Sequence, residues 1–255
     1  MTNHIHTEKA GNVFWIRFNR PDKYNAISSE MYNALIEAFD ESENDDEVLI
    51  TVLTGTGSFY SAGSDFSLNE MQSNSSLHDR GLETPYKVWS DRLIRHSKVV
   101  VALVNGPAIG IACTTLGLCD VVLASDKAYF HCPFTQLGLS PEASSSYTFP
   151  QRLGHTKAAR LILLSEKMTA REAYDAGLVS QVIPHADFIT ESRTIVERYS
   201  KLAHQSLLAS KRLMRPPALV DELLTVNRKE YEVLMKQFSC EETLERMMSK
   251  FISKI

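Results

Sequence analysis

The chain has 255 residues, 44% hydrophobic and 23% charged, with a formal net charge of −4. That length can bury a full core as one large domain or two small ones, and the acidic balance gives no reason to expect nucleic acid or an anionic membrane as a partner. No apolar run approaches the length of a membrane span. The start, Met1 to Glu8, has neither an apolar signal region nor the Arg-rich amphipathic pattern of a transit peptide. The cysteines, Cys113, Cys119, Cys132 and Cys240, lie in or beside apolar stretches without metal-ligand spacing or a disulfide framework. Buried free thiols in a reducing compartment are therefore expected, and no metal.

In chain order, Ile5 to Arg20 reads as a hairpin turning at Gly11-Asn12. After the polar loop Asn19 to Ala26, Ser28 or Ser29 caps a helix with Met31, Leu35, Ile36 and Phe39 on one face. The acidic run Glu41 to Glu47 closes it as a solvated loop. Val48 to Thr54 is a buried strand, followed by a glycine-containing loop through Ser61-Ala62-Gly63-Ser64-Asp65. Asn69 to Gly81 is polar and expected to be mobile, and Pro85 to His96 is a helix. Val99 to Val104 is a second buried strand, stopped by Gly106-Pro107, with a helix opening near Gly110. Short strands follow at Asp120 to Ser125 and Ala128 to His131. Ser140 suits an N-cap and Pro141 the first helical position, which puts Glu142 in a first turn. Thr169 to Ala176 is a helix ended by Gly177, and Val179 to Ile183 is a last strand. From Ala186 the pattern is helical, broken at Pro216-Pro217. The reading is an α/β core over residues 1–185 and a helical region over 186–255.

Two stretches, Ala62-Gly63-Ser64 and Gly110-Ile111, each follow a buried strand and offer backbone N–H groups. If the strands are parallel neighbours, their ends form a common ligand face. A convergent pair of donors suits an enolate or a tetrahedral oxyanion. Glu142 adds a carboxylate, the minimum for moving a proton α to a carbonyl. An ordinary strand-to-helix turn and a structural glutamate also fit these residues, and spacing alone does not bring them together. No Gly-x-Ser-x-Gly elbow, phosphate loop or His-Glu-x-x-His motif is present.

Taken together, Ser61-Ala62-Gly63-Ser64-Asp65, Asn105-Gly106-Pro107-Ala108-Ile109-Gly110 and Cys119-Asp120 resemble the crotonase (enoyl-CoA hydratase/isomerase) superfamily. Asn19-Arg20-Pro21 with Asn25-Ala26, Gly154 and the stretch from Thr169 to Val179 extend the match over nearly the whole chain. The resemblance implies a spiral of ββα units with a helical C-terminal trimerisation region. It implies an acyl-CoA substrate, coenzyme A being part of the substrate and no separate cofactor being needed. The oxyanion donors become the N–H groups of Ser64 and Ile111, following Gly63 and Gly110. The segment Ser61 to Asp65 lines the adenine end of the coenzyme A site, and Lys23 is a weaker candidate for a phosphate contact.

The departures from the family pattern set the subclass. The two hydratase glutamates fall on Thr114 and Phe134, so hydration by that route is not expected. Leu139-Ser140-Pro141-Glu142, followed by Ser144 to Pro150, looks like the peroxisomal Δ3,Δ2-enoyl-CoA isomerase group, in which this glutamate is the sole base. Fatty-acid β-oxidation is the implied setting. A dienoyl-CoA isomerase, a thioester hydrolase and a catalytically silent acyl-CoA-binding scaffold are the alternatives. Apolar positions from Leu219 to Phe238 recur at spacings of three and four, and the resemblance makes a homotrimer or hexamer the expected assembly. Ser253-Lys254-Ile255 is one conservative change from a peroxisomal address, so the peroxisome is expected ahead of mitochondrion or cytosol.

Overall fold

In the computed structural model, which describes residues 4–67 and 83–252, Ile5–Ala10 (β1) and Val13–Phe18 (β2) pair antiparallel about Gly11-Asn12. The expected polar segment Asn69 to Gly81 and the tripeptide Ser253-Lys254-Ile255 lie outside the described residues. Ile50–Gly55 (β3), Val99–Val104 (β4), Val121–Ser125 (β6) and Gln181–Ile183 (β9) continue the sheet in parallel, in the order β1-β2-β3-β4-β6-β9. A smaller sheet joins Ala108–Ile109 (β5), Tyr129–His131 (β7) and Met168–Thr169 (β8) in the order β5-β7-β8.

Both faces of the large sheet are covered, which is why its central strands read as continuous apolar runs. Alternate side chains point to opposite faces. Val100, Ala102 and Val104 of β4 enter the main core, as do Phe14, Ile16 and Phe18 of β2. Val101 and Leu103, with Val13 and Trp15, enter a second core. Ser29–Asn44 (α1) and Pro85–Arg95 (α2) cover the first face. Ser28 caps α1 by accepting from the Met31 N–H at 3.3 Å. The helix runs on to Asn44, so the acidic stretch is only partly the loop expected. Asp45 and Glu47 in its remainder hold Lys9 at 2.6 and 2.7 Å.

Ile111–Thr114 (α3) is one turn that passes into a 3-10 turn over Thr115–Leu118. Ser145–Leu153 (α4), His155–Ile162 (α5) and Ala170–Ala176 (α6) follow. Thr169 and Glu172 form a reciprocal capping box at the start of α6, and Gly177 ends it in the left-handed conformation.

The residues after 186 build no core of their own. Phe188–Ser200 (α7) places Phe188, Ile195 and Val196 in the second core, against β2, β3 and β4. His204–Met214 (α8) is tied to the sheet by the Lys211 ammonium, which meets Asp120 at 2.6 Å and donates to the Lys98 carbonyl. Pro217–Phe238 (α9) lies on α2 and α4 and gives Leu223, Leu234 and Met235 to the main core, with Leu219, Leu224, Tyr231 and Phe238 partly buried against it. The apolar stripe of α9 is thus occupied within the chain. Glu241–Ile252 (α10) closes the structure. Cys113, Cys119 and Cys132 are buried free thiols, whereas Cys240 is exposed between α9 and α10, which corrects the expectation for that residue.

Candidate active site

The site begins where β3 and β4 end. Thr54 pairs with Leu103, so the chain leaves both strands at one edge and the two following turns run side by side. Two asparagines bind them together. Asn105 accepts from the Gly55 N–H and donates to the carbonyls of Gly57 and Phe59. Asn25, fully buried, donates to the carbonyls of Thr56, Phe59 and Tyr60. Ser61 then bridges to Ala108: its N–H donates to the Pro107 carbonyl at 3.2 Å, and Ile109 N–H donates to the Ser61 carbonyl at 3.0 Å. A Cβ on Gly63 would stand 2.5 Å from the Ile109 carbonyl oxygen and 3.6 Å from Gly110 Cα. The two glycine stretches are therefore in backbone contact.

Their N–H groups have different fates. Ala62 N–H donates to the Tyr24 carbonyl, Gly63 N–H to Ser61 Oγ, Asp65 N–H to the Ile27 carbonyl and Gly110 N–H to the His131 carbonyl. The Ser64 and Ile111 N–H groups donate to no group among the described residues. Each has a local reason. Ser64 forms a parallel bridge with Ile27 through the groups of its neighbours, so its own N–H points away from Ile27. Ile111 is the first residue of α3 and has no carbonyl one turn back within the helix. Gly110, at φ 58° and ψ −128°, makes the sharp entry into that turn.

The polar side chains of the segment hold it in place. Ser61 Oγ donates to the Asn25 carbonyl at 2.7 Å, Ser64 Oγ shares a hydrogen bond with Tyr32 Oη at 2.7 Å, and Asp65 pairs with Arg20 at 2.7 Å. Of the N–H groups from Ala62 to Asp65, that of Ser64 alone is left without a partner among the described residues. Lys23 is exposed, in a one-turn 3-10 helix over Pro21–Lys23, beside the Tyr24 carbonyl that anchors Ala62.

Glu142 is not in the first turn of a helix, as its sequence context suggested. Ser140 caps nothing, because Ala143 and Ser144 both take left-handed backbone conformations, at φ 56° and 58°, and α4 begins only at Ser145. Glu142 is buried, with 9% of the residue exposed, and its carboxyl makes no hydrogen bond among the described residues. Burial, and then the negative charge of Glu230, push its pKa up to about 8. With no helix start beneath it, no helix dipole offsets the desolvation. Burial, and then the charge of Glu142, raise the pKa of Tyr86, whose ring lies 6.4 Å from that of Tyr32, the partner of Ser64. Burial first, then Cys113 and lastly Glu142, raise that of Cys132.

Glu230 is the residue the sequence reading missed. Its signal was present as an interruption: Leu223, Asn227, Glu230 and Leu234 follow helical spacing along the buried face of α9, and two of the four are polar. Thr114 and Phe134 are buried and provide no acid. Among the described residues no group of three His, Cys, Asp or Glu could hold a metal ion.

The family model described as enoyl-CoA hydratase/isomerase matches residues 8–254. An uncharacterized protein of Caenorhabditis elegans is 45% identical over 97% of this chain and 96% of its own length. Enoyl-CoA delta isomerase 2 of Rattus norvegicus is 42% identical over 94% of this chain, which spans 61% of that protein. Enoyl-CoA delta isomerase 3, peroxisomal, of Mus musculus is 42% identical over 89% of this chain and 71% of its own. In three dimensions, an enoyl-CoA hydratase/isomerase from Pseudoalteromonas atlantica T6c superimposes with a TM-score of 0.90 at 32% identity, covering 98% of both chains.

Proposed function

Because the chain belongs to the enoyl-CoA hydratase/isomerase family, the crotonase superfamily, we propose that it is a Δ3,Δ2-enoyl-CoA isomerase with Glu142 as its base. The observation that carries this reading is the buried Glu142 carboxyl, which makes no hydrogen bond among the described residues, in a chain whose Ser64 and Ile111 N–H groups donate to no described group either. In the proposed reaction the thioester oxygen lies between the N–H groups of Ser64 and Ile111. Glu142 takes a proton from C2, and the electron pair of that C–H bond moves into a dienolate whose charge rests on the held oxygen. The same carboxyl returns the proton at C4. The carbonyl re-forms, and the double bond moves from C3–C4 to C2–C3, conjugated with the thioester. Backbone N–H donors suit the task because they are fixed before charge develops. The segment Ser61 to Asp65, with Gly110, receives the coenzyme A portion, and Lys23 at the rim supplies a cation for its phosphates. Thr114 and Phe134 stand at the hydratase acid positions, which favours isomerisation over hydration.

The test is turnover of a series of 3-enoyl-CoA esters of different chain length by the purified chain. Formation of the conjugated 2-enoyl product is expected. Conversion to a hydrated or hydrolysed product, or tight ester binding without turnover, would replace the reading with one of the other crotonase activities or with a binding scaffold.

Two further expectations accompany it. A homotrimer, or a dimer of trimers, is proposed, and Leu213 and Met214 at the end of α8, 82% and 80% exposed, are apolar surface that assembly would cover. Sedimentation at micromolar concentration should give the mass of three or six chains; a monomer would refute it. A peroxisomal location is proposed from Ser253-Lys254-Ile255 together with the peroxisomal mouse relative. A fluorescent protein fused at the N-terminus should give punctate signal that turns diffuse when the tripeptide is deleted. Diffuse or mitochondrial signal with the intact tail would count against it.

A further inference from the structure

Glu142 stands on two consecutive left-handed residues, neither of them glycine, a backbone that persists only when its surroundings hold it. The holding group comes from the far end of the chain. The Glu230 carboxylate of α9 accepts from the Ser144 N–H at 2.6 Å with one oxygen and from the Ser146 N–H at 2.8 Å with the other. Ser144 Oγ donates to the Leu223 carbonyl of the same helix at 2.8 Å. These bonds take up donors at the start of α4, where no side chain of the local sequence caps.

We propose that Glu230 is a positioning residue that clamps the turn presenting Glu142 and thereby ties the C-terminal helices to the reaction. The two carboxyls share one buried region and have unequal surroundings. Burial raises the pKa of both, but at Glu230 two N–H donors pull against that rise, whereas Glu142 has no hydrogen bond among the described residues. The negative charge therefore resides first on Glu230, and it disfavours ionisation of Glu142. The titratable groups coupled to Glu142 through their charge are Tyr86 of α2, Cys132 after β7 and Glu230 of α9. Elsewhere on α2, Lys87 is paired with Glu83 and Asp91, and Asp91 also accepts from Asn227.

This inference rests on Glu142 as base, so its test has one readout that needs no turnover. Glu142 is followed by carbon NMR in chain labelled at glutamate carboxyls, its signal identified by its loss in Glu142→Gln, alongside the pH profile of kcat/KM. Glu230→Gln should move the Glu142 titration, and the acidic limb of the profile, to lower pH by about one unit, while lowering kcat. Glu230→Asp keeps the charge and shortens the reach, so it should lower kcat and leave the profile near that of the parent. If Glu230→Gln does not fold, the parent chain still answers: the Glu142 signal should show a second, smaller step as Glu230 titrates. A Glu142 titration that ignores Glu230 in every one of these measurements overturns the proposal. Full activity in Glu142→Gln would instead overturn the isomerase reading, and the NMR titration would still decide the coupling.

Discussion

Glu142→Gln should lower kcat on a 3-enoyl-CoA by about 100-fold or more, with substrate binding changed much less. Glutamine matches the carboxyl in volume and retains an oxygen, so the turn carrying it is left intact. Only the capacity to take and return a proton is removed. In the parent chain that capacity depends on pH. With a pKa raised from 4.5 to about 8, the free carboxyl is mostly protonated at neutral pH, and kcat/KM should climb as pH rises toward the upper value. The same shift has a consequence for stability, of opposite direction. A carboxyl whose pKa is higher folded than unfolded stabilises the fold fully below its unfolded value, near 4.5, and that contribution is lost as pH rises through about 8. Glutamine cannot ionise and has nothing to lose over this window. The variant should therefore melt near the parent at pH 5 and above it at pH 9, by an amount on the order of 3 kcal/mol. An equal difference in melting at both pH values would contradict the linkage. Near-normal turnover would remove Glu142 from the reaction.

Much of the scaffold was legible because its causes are local. The β4 strand is an uninterrupted β-branched run, and Gly106-Pro107 stops it. The hairpin turns at Gly11, and the Thr169–Glu172 capping box with Gly177 marks both ends of α6. What remained hidden has non-local causes. That the Gly63 and Gly110 stretches touch depends on β3 and β4 being parallel neighbours, a matter of strand order. The turn at Ala143 and Ser144 had no glycine to announce it, because its hydrogen bonds come from Glu230, 86 residues beyond Ser144. Ser140-Pro141-Glu142 has the local pattern of a helix start, and the distant carboxylate overrides it. The stripe of α9 was legible as a buried face, but its partner is this chain's own core.

Gly63→Ala should lower kcat by about 100- to 1,000-fold, the scale seen when an oxyanion donor is lost, although it removes no functional group. Gly63 has φ +84°, which disfavours any residue with a Cβ, and that Cβ would lie 2.5 Å from the Ile109 carbonyl oxygen. The obstacle is backbone, and it is held firmly. Ile109 donates to the Ser61 carbonyl, Ala108 and Ile109 pair with Phe130 and His131 across the small sheet, and Gly110 N–H donates to the His131 carbonyl. Relief of the overlap must part the two stretches, moving the Ser64 donor away from the Ile111 donor. The transition state loses more than the ground state, because charge on the oxygen is fully developed only in the dienolate. The control is Gly11→Ala, at φ +62° in the β1–β2 turn with nothing within 4 Å of the added Cβ. It imposes comparable left-handed strain far from the site and should cost about 1 kcal/mol of stability while leaving kcat near that of the parent. Turnover and melting temperature measured on both variants separate the two effects. If Gly63→Ala loses stability but keeps near-normal kcat, the Ser64 and Ile111 N–H groups do not form the oxyanion hole.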